Sequence, residues 1–270
     1  AIGFSLIFGV ARIVNIAHTA FYMVASYGIY LTTQKLGYHP LVGMWAAIPA
    51  VTLLGLICYK VFIDPIREHE GVVLIGTIAL AIALQEIMLL IFTGDYLSVP
   101  SLVEGYFSIF GVKVFYQQLL TFVAALVVLG ALRLLLMNTK LGLAIRSTAQ
   151  DREVANLMGM NESRVALITV GISVALAGFT GAVVVPLTIV NPFMWMHPLI
   201  MMMAVVVLGG LGSIKGSFFG AYILGFAESL VVFLAPMGSY LKGSVALSVM
   251  ILVLIIRPEG LFGVAFEEER

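Results

Sequence analysis

The sequence predicts an all-α membrane protein that crosses the bilayer many times, and three observations predict it. Charged residues are only 10% of the chain and hydrophobic residues 61%, whereas soluble domains carry roughly 25% charge. Mean hydropathy is +1.12. The apolar residues fall in successive runs separated by short polar intervals, and a complete helical span needs about 20 of them.

With that length as the ruler, the chain divides in order. Ile2–Val14 is short and stops at Asn15; Thr19–Thr33 is also short. Leu41–Ile63, Gly71–Thr93, Tyr116–Met137 and Arg164–Val185 are full spans. Pro198–Gly210 is short and ends in glycines, and Ser217–Ala235 and Gly243–Ile256 complete the set. The expectation is about eight or nine crossings, some short or broken, in one transmembrane domain over residues 1–270. The chain begins at Ala1 within an apolar pattern, so the N-terminus is expected to be incomplete. No cleavable signal peptide is legible.

Composition and motif content exclude several functions. Net charge is zero, which removes the bulk electrostatic case for nucleic acid. Cys58 is the single cysteine, and His18, His39, His69 and His197 have no ligand spacing, so neither a metal nor a cofactor is expected. There is no GK[ST] phosphate loop and no clustered nucleophile, base and acid. The chain is not expected to be an enzyme.

Lysine and arginine placement sets the orientation. With Asn138–Ser163 in the cytoplasm, Arg12, Lys60, Arg67, Arg133, Lys140, Arg146, Arg152, Arg164, Lys215, Arg257 and Arg270 lie inside or at inner helix ends. Only Lys35, Lys113 and Lys242 of the 14 basic residues lie outside. The C-terminal tail, Glu267–Arg270, is then cytoplasmic. In the outer loop Gly94–Phe115, Ser108–Val114 reads as a hairpin around Gly111, either a plain cap or a contact for an external partner.

Polar groups at membrane depth usually face a bundle interior or a water-filled pathway. Gln85 and Glu86 lie within one span and Glu228 within another. No chain of basic or histidine partners is visible for them, so inter-helix hydrogen bonding is favoured over substrate or proton contact. Asn15 and His18 interrupt the first two short spans, and Asn191, Pro192, His197 and Pro198 interrupt later ones. Backbone breaks at depth are tolerated where they line a cavity or are buried in protein. Both stretches contain Val–Asn, then histidine, then a methionine- and aromatic-rich run, a pattern that would suit an inverted repeat. Gly209, Gly210, Gly212, Gly216 and Gly220 form GGLGSIKGSFFG, read as a tight inner turn followed by a GxxxG packing face.

Asn138–Ser163 is the longest polar interval. Ser147, three residues before Gln150, is spaced to start a helix at Thr148, and Gly159 is suited to end it. Val154, Ala155, Leu157 and Met158 would share one side, with Arg152, Glu153 and Asn156 on the other. Asn161 is suited to cap the next span. The interval is either a solvated connector or a docking helix for a soluble partner.

Four stretches resemble one family. LGLAIRSTAQDREVANLMGM resembles the coupling loop of ABC importer permeases. GFSLIFGVARIVNIAHTAFYMVASYG resembles the first segment of LivH-type branched-chain amino acid permeases, and its NIAH run favours that subunit over the LivM type. GGLGSIKGSFFGAYILGFAES and RPEGLFG resemble the closing motifs. Thr19, Ser147 and Lys215 depart from the usual glycine, alanine and proline at those places. The resemblance implies an ABC importer permease fold working with a second permease (LivM-type or another copy), two cytoplasmic ATPases and an external binding protein. Branched-chain amino acids are the implied cargo; urea, short-chain amide and other amino acid permeases look similar. Gly142, Arg146, Asp151, Ala155 and Gly159 match the coupling-loop pattern and would seat in an ATPase groove. A cell inner membrane location is implied. From the residues alone, an ion-driven transporter using Glu86 and Glu228 is the competing function, and a membrane scaffold a third.

Overall fold

The structure is a computed structural model, and it describes residues 1–109, 112–234, 238–257 and 259–262. Among these are eleven α-helices: α1 (Ile2–Ala11), α2 (His18–Tyr30), α3 (Pro40–Cys58), α4 (Glu70–Phe92), α5 (Tyr116–Asn138), α6 (Lys140–Gln150), α7 (Arg152–Leu157), α8 (Glu162–Val184), α9 (Met196–Gly209), α10 (Ile214–Leu234) and α11 (Gly238–Ile256). Two strands, β1 (Tyr106–Ile109) and β2 (Val112–Phe115), pair antiparallel. The expected outer hairpin is therefore present, while its Gly111, the span end at Ala235 and the tail Glu267–Arg270 lie outside the described residues.

Among the described residues, five helices are long and apolar enough to cross a membrane: α3 with its extension to Ile66, α4, α5, α8 with its extension to Leu187, and α10. α1 and α9 are shorter apolar helices, as expected. α2 gains length from a π-helical turn, Leu31–Lys35.

α8 is the central post. It packs against α1, α2, α3, α5, α6 and α7, and small residues let those helices close on it. A Cβ at Gly181 would stand 2.7 Å from the Tyr22 carbonyl oxygen of α2, and one at Gly55 of α3 would stand 2.7 Å from the Val174 side chain of α8. Lipid is as apolar as leucine, so close van der Waals contact of this kind is what holds membrane helices together. At the opposite extreme, α5 is mostly exposed along its apolar length.

The two shortest N-terminal helices are deep inside, with ten of the thirteen α2 residues buried. Between them the chain leaves helical geometry at Arg12, which is left-handed (φ 47°). The break at Asn15–His18 is buried and needs hydrogen-bond partners from protein. Thr77 of α4 supplies one: its hydroxyl accepts from the Ile16 N–H at 3.3 Å. Across the same region the Ser5 hydroxyl of α1 bonds the Ser217 hydroxyl of α10.

The closing motifs join in space. α9 and α10 meet so closely that a Cβ at Gly216 would overlap the Gly209 carbonyl. Gly210 and Gly212 make the turn with φ of 96° and 79°, a conformation cheap only for glycine. The chain after α11 then returns: Leu261 N–H donates to the Leu208 carbonyl at 2.8 Å and Phe262 N–H to the Gly209 carbonyl at 3.1 Å. Gly9 of α1 faces Gly212, so the first motif meets the last two at one end of the molecule.

Candidate functional site

The coupling stretch folds differently from its sequence-based expectation. Ser147 starts no helix; it lies inside α6, whose cap is Thr139, with its hydroxyl accepting from the Gly142 N–H at 2.9 Å. Asp151 then breaks the helix. Its backbone is extended and its carboxylate accepts from the Val154 N–H at 3.0 Å, opening α7. A carboxylate at the N-cap satisfies an otherwise orphaned donor and meets the positive helix end, which is why the interval divides here into two helices. Gly159 ends α7 as expected, at φ 84°. Its N–H reaches the Asn156 carbonyl, and the Met160 N–H reaches that of Ala155, the paired bonds of a Schellman terminus. Asn161 caps α8 by accepting from the Arg164 N–H at 3.0 Å.

Most of α7 is exposed, and Ala155 is its one buried residue. Two of its polar residues bond to the start of α8: Arg152, half-buried, pairs with Glu162 at 3.4 Å, and the exposed Asn156 side chain accepts from the Glu162 N–H at 3.3 Å. Val154, Leu157 and Met158 are exposed at 54%, 86% and 75%. Of the five residues carried over from the coupling pattern, Gly142 and Ala155 are buried. Gly142 sits where a Cβ would overlap the Leu135 and Leu136 backbone; its role is to fold α6 back on α5. Asp151 and Gly159 are exposed and serve as the two ends of α7; Arg146 is exposed on α6. Val154, Leu157 and Met158, outside that pattern, are the exposed large apolar residues of this stretch after Asp151.

The membrane-depth polar residues separate into distinct roles. Gln85 is buried and accepts the Trp195 indole N–H at 2.8 Å, tying α4 to the start of α9. Its amide donates to Glu86 Oε1 at 3.1 Å. Glu86 itself is exposed on α4 and makes no inter-helix hydrogen bond among the described residues. Among the described residues an inter-helix bond is thus made by Gln85 and not by Glu86. Glu228 of α10 meets His197 Nε2 of α9 at 3.1 Å, a histidine partner that no sequence spacing disclosed. His18 lies 3.4 Å from the Ser173 hydroxyl of α8. Asn15 is buried, with its Oδ1 unpartnered among the described residues. Asn191 accepts from the Phe193 N–H at 2.9 Å, beside a two-way bridge between Val190 and Leu97. Both Val–Asn stretches lead into short helices, α2 and α9, but with different partners. No group of three or more metal-ligating side chains occurs among the described residues.

A bundle of apolar helices around buried polar breaks, with a short helix displayed at one end, is the architecture of a polytopic membrane protein. The family described as "Branched-chain amino acid transport system / permease component" matches residues 1–254, and the chain belongs to that family. It is 30% identical to the high-affinity branched-chain amino acid transport system permease protein BraD of Pseudomonas aeruginosa, covering 97% of this chain and 90% of that protein. Identity to the LivH permease protein of Escherichia coli K12 is 28% over the same shares. To the probable LivH permease of Methanocaldococcus jannaschii it is 30%, over 99% of this chain and 89% of that one. No solved structure matches the chain.

Proposed function

We propose that the chain is the transmembrane permease subunit of an ATP-driven importer for branched-chain amino acids. The observation that supports this most directly is α7, a helix capped at both ends that leaves Val154, Leu157 and Met158 exposed. An exposed apolar face of this kind marks a contact with another protein or a membrane. Arg146, Val154, Leu157 and Met158 form the contact with a cytoplasmic ATPase, and Gly142, Asp151, Ala155 and Gly159 hold that contact in shape. The whole chain acts as one permease unit, alongside a second permease and two ATPases, and takes its cargo from an external binding protein. The coupling loop and C-terminus are cytoplasmic in this reading, which the crowding of basic residues at that end supports. The relatives' names support branched-chain amino acids as cargo.

The deciding experiment is reconstitution in vesicles with the second permease, the ATPases and the binding protein. Leucine, isoleucine and valine uptake that requires ATP supports the proposal. Uptake by the chain alone, driven by a proton or ion gradient, would sink it. The His197–Glu228 pair is the observation that keeps an ion-coupled reading as the alternative.

A further inference from the structure

The inward side of α7 reaches a junction that the coupling-loop pattern does not include. A cavity of about 240 Å³ lies there, lined by Ala11 from the end of α1, Tyr59 after α3, Arg67 and Glu68 before α4, Arg152 of α7 and Glu162 of α8. Arg152 is held on one side only, by Glu162. Its Nε and Nη2 are buried with no hydrogen-bond partner among the described residues. Burial lowers the Arg152 pKa, the charges of Arg12 and Arg67 lower it further, and Glu162 opposes them. Arg67 in turn donates to the Ser163 hydroxyl at 3.2 Å and pairs with Asp64 at 3.5 Å, so the turn between α3 and α4 is pinned to the start of α8 beside the same cavity.

We propose that Arg152 is a positioning residue that passes movement of α7 sideways into the α3–α4 turn through the Tyr59–Arg67–Glu162 junction. The covalent chain links α7 only to α6 and α8. A displacement of α7 reaches α3 through α8, which packs on it, and it reaches the α3–α4 turn through the side chains around the cavity, whose lining Arg152 shares with Tyr59, Arg67 and Glu162. Packed interfaces respond to small shifts by switching arrangement rather than by deforming continuously. Removing the guanidinium leaves α7 capped by Asp151 and its apolar side unchanged, so ATPase docking survives while the sideways route is lost. This rests on the importer reading above.

The test uses the complete reconstituted complex, measuring ATP hydrolysis, leucine uptake and co-purification of the ATPases. For Arg152→Gln we expect the complex to assemble and hydrolyse ATP, with leucine taken up per ATP reduced about tenfold or more. Combining Arg152→Glu with Glu162→Arg recovers part of that loss. A direct readout is Val72→Cys at the start of α4, in a chain with Cys58→Ser. Its labelling by a water-soluble maleimide changes with ATP, and Arg152→Gln abolishes that response. Wild-type uptake per ATP, or an unchanged labelling response, in Arg152→Gln overturns the proposal. If Arg152→Gln does not assemble, Arg67→Gln decides, because it leaves the Arg152–Glu162 pair in place; normal coupling there overturns the proposal too. Absence of ATP-driven uptake by the unsubstituted complex is instead a failure of the importer reading, visible before any variant is made.

Discussion

Trp195 and Gln85 are separated by 110 positions, yet the indole N–H of one donates to the side-chain carbonyl of the other across 2.8 Å. Both side chains are buried. The bond sets where α9 begins against α4 and leaves the Gln85 amide free to orient Glu86. Trp195→Phe keeps the aromatic volume approximately and removes the donor. An unsatisfied buried carbonyl costs about 1–3 kcal/mol, so the variant is expected to unfold at lower denaturant concentration in detergent. Unchanged unfolding would show that Gln85 finds another donor.

Glu86→Gln separates packing from transport. The carboxylate is exposed on its own helix, and its bond to Gln85 is between neighbours in sequence. Substitutions away from buried features usually change stability by less than about 0.5 kcal/mol. Thermal unfolding of Glu86→Gln is therefore expected to match the parent, and any loss belongs to uptake. A large fall in stability with normal specific uptake would return Glu86 to a packing role.

Gly216→Ala and Gly225→Ala make a matched pair on α10. At Gly216 the added methyl would overlap the Gly209 carbonyl, whereas at Gly225 no atom outside the helix's own near backbone lies within 4 Å. Overpacking costs about 1–3 kcal/mol, and more where backbone itself must move. Gly216→Ala is expected to yield little folded protein. Gly225→Ala is expected to be neutral or to stabilise, since glycine inside a helix costs roughly 0.5–1 kcal/mol relative to alanine. Yield and monodispersity in detergent check both.

Leu157→Asp and Asp151→Ala probe α7 from its two aspects. Leu157 is almost fully exposed, so Leu157→Asp is expected to abolish ATPase co-purification with no loss of fold stability. Asp151→Ala removes the N-cap and costs about 1 kcal/mol locally, weakening co-purification without abolishing it. Retained co-purification by Leu157→Asp would place the contact elsewhere.

Much of this architecture was legible from spacing. The span positions, the Gly159 and Asn161 boundaries and the β1–β2 hairpin follow from run length and local turn chemistry, which act over a few residues. Which side of each span is buried was not legible. In lipid both faces of a helix are apolar, so α8, the central post, and α5, the most exposed long helix, look alike in sequence. The same limit hid the partners of the polar residues. Glu228 meets His197 31 positions away and His18 meets Ser173 155 positions away, and spacing rules do not reach so far. The helix break at Asp151 was missed for another reason. Ser147 and Asp151 are both good caps, and burial of Gly142, Ile145 and Thr148 against α5 and α8 carried α6 past the first to the second.

The buried break between α1 and α2 has a consequence for how the protein is made. Ile16 waits for Thr77, 61 residues on, and His18 for Ser173, 155 residues on. At about 5–20 residues per second of synthesis, that second wait lasts roughly 8–30 s. During it, α1, α2 and the polar turn between them lack their final neighbours. α1 and α2 are thus made well before α8 supplies the contact that secures their junction.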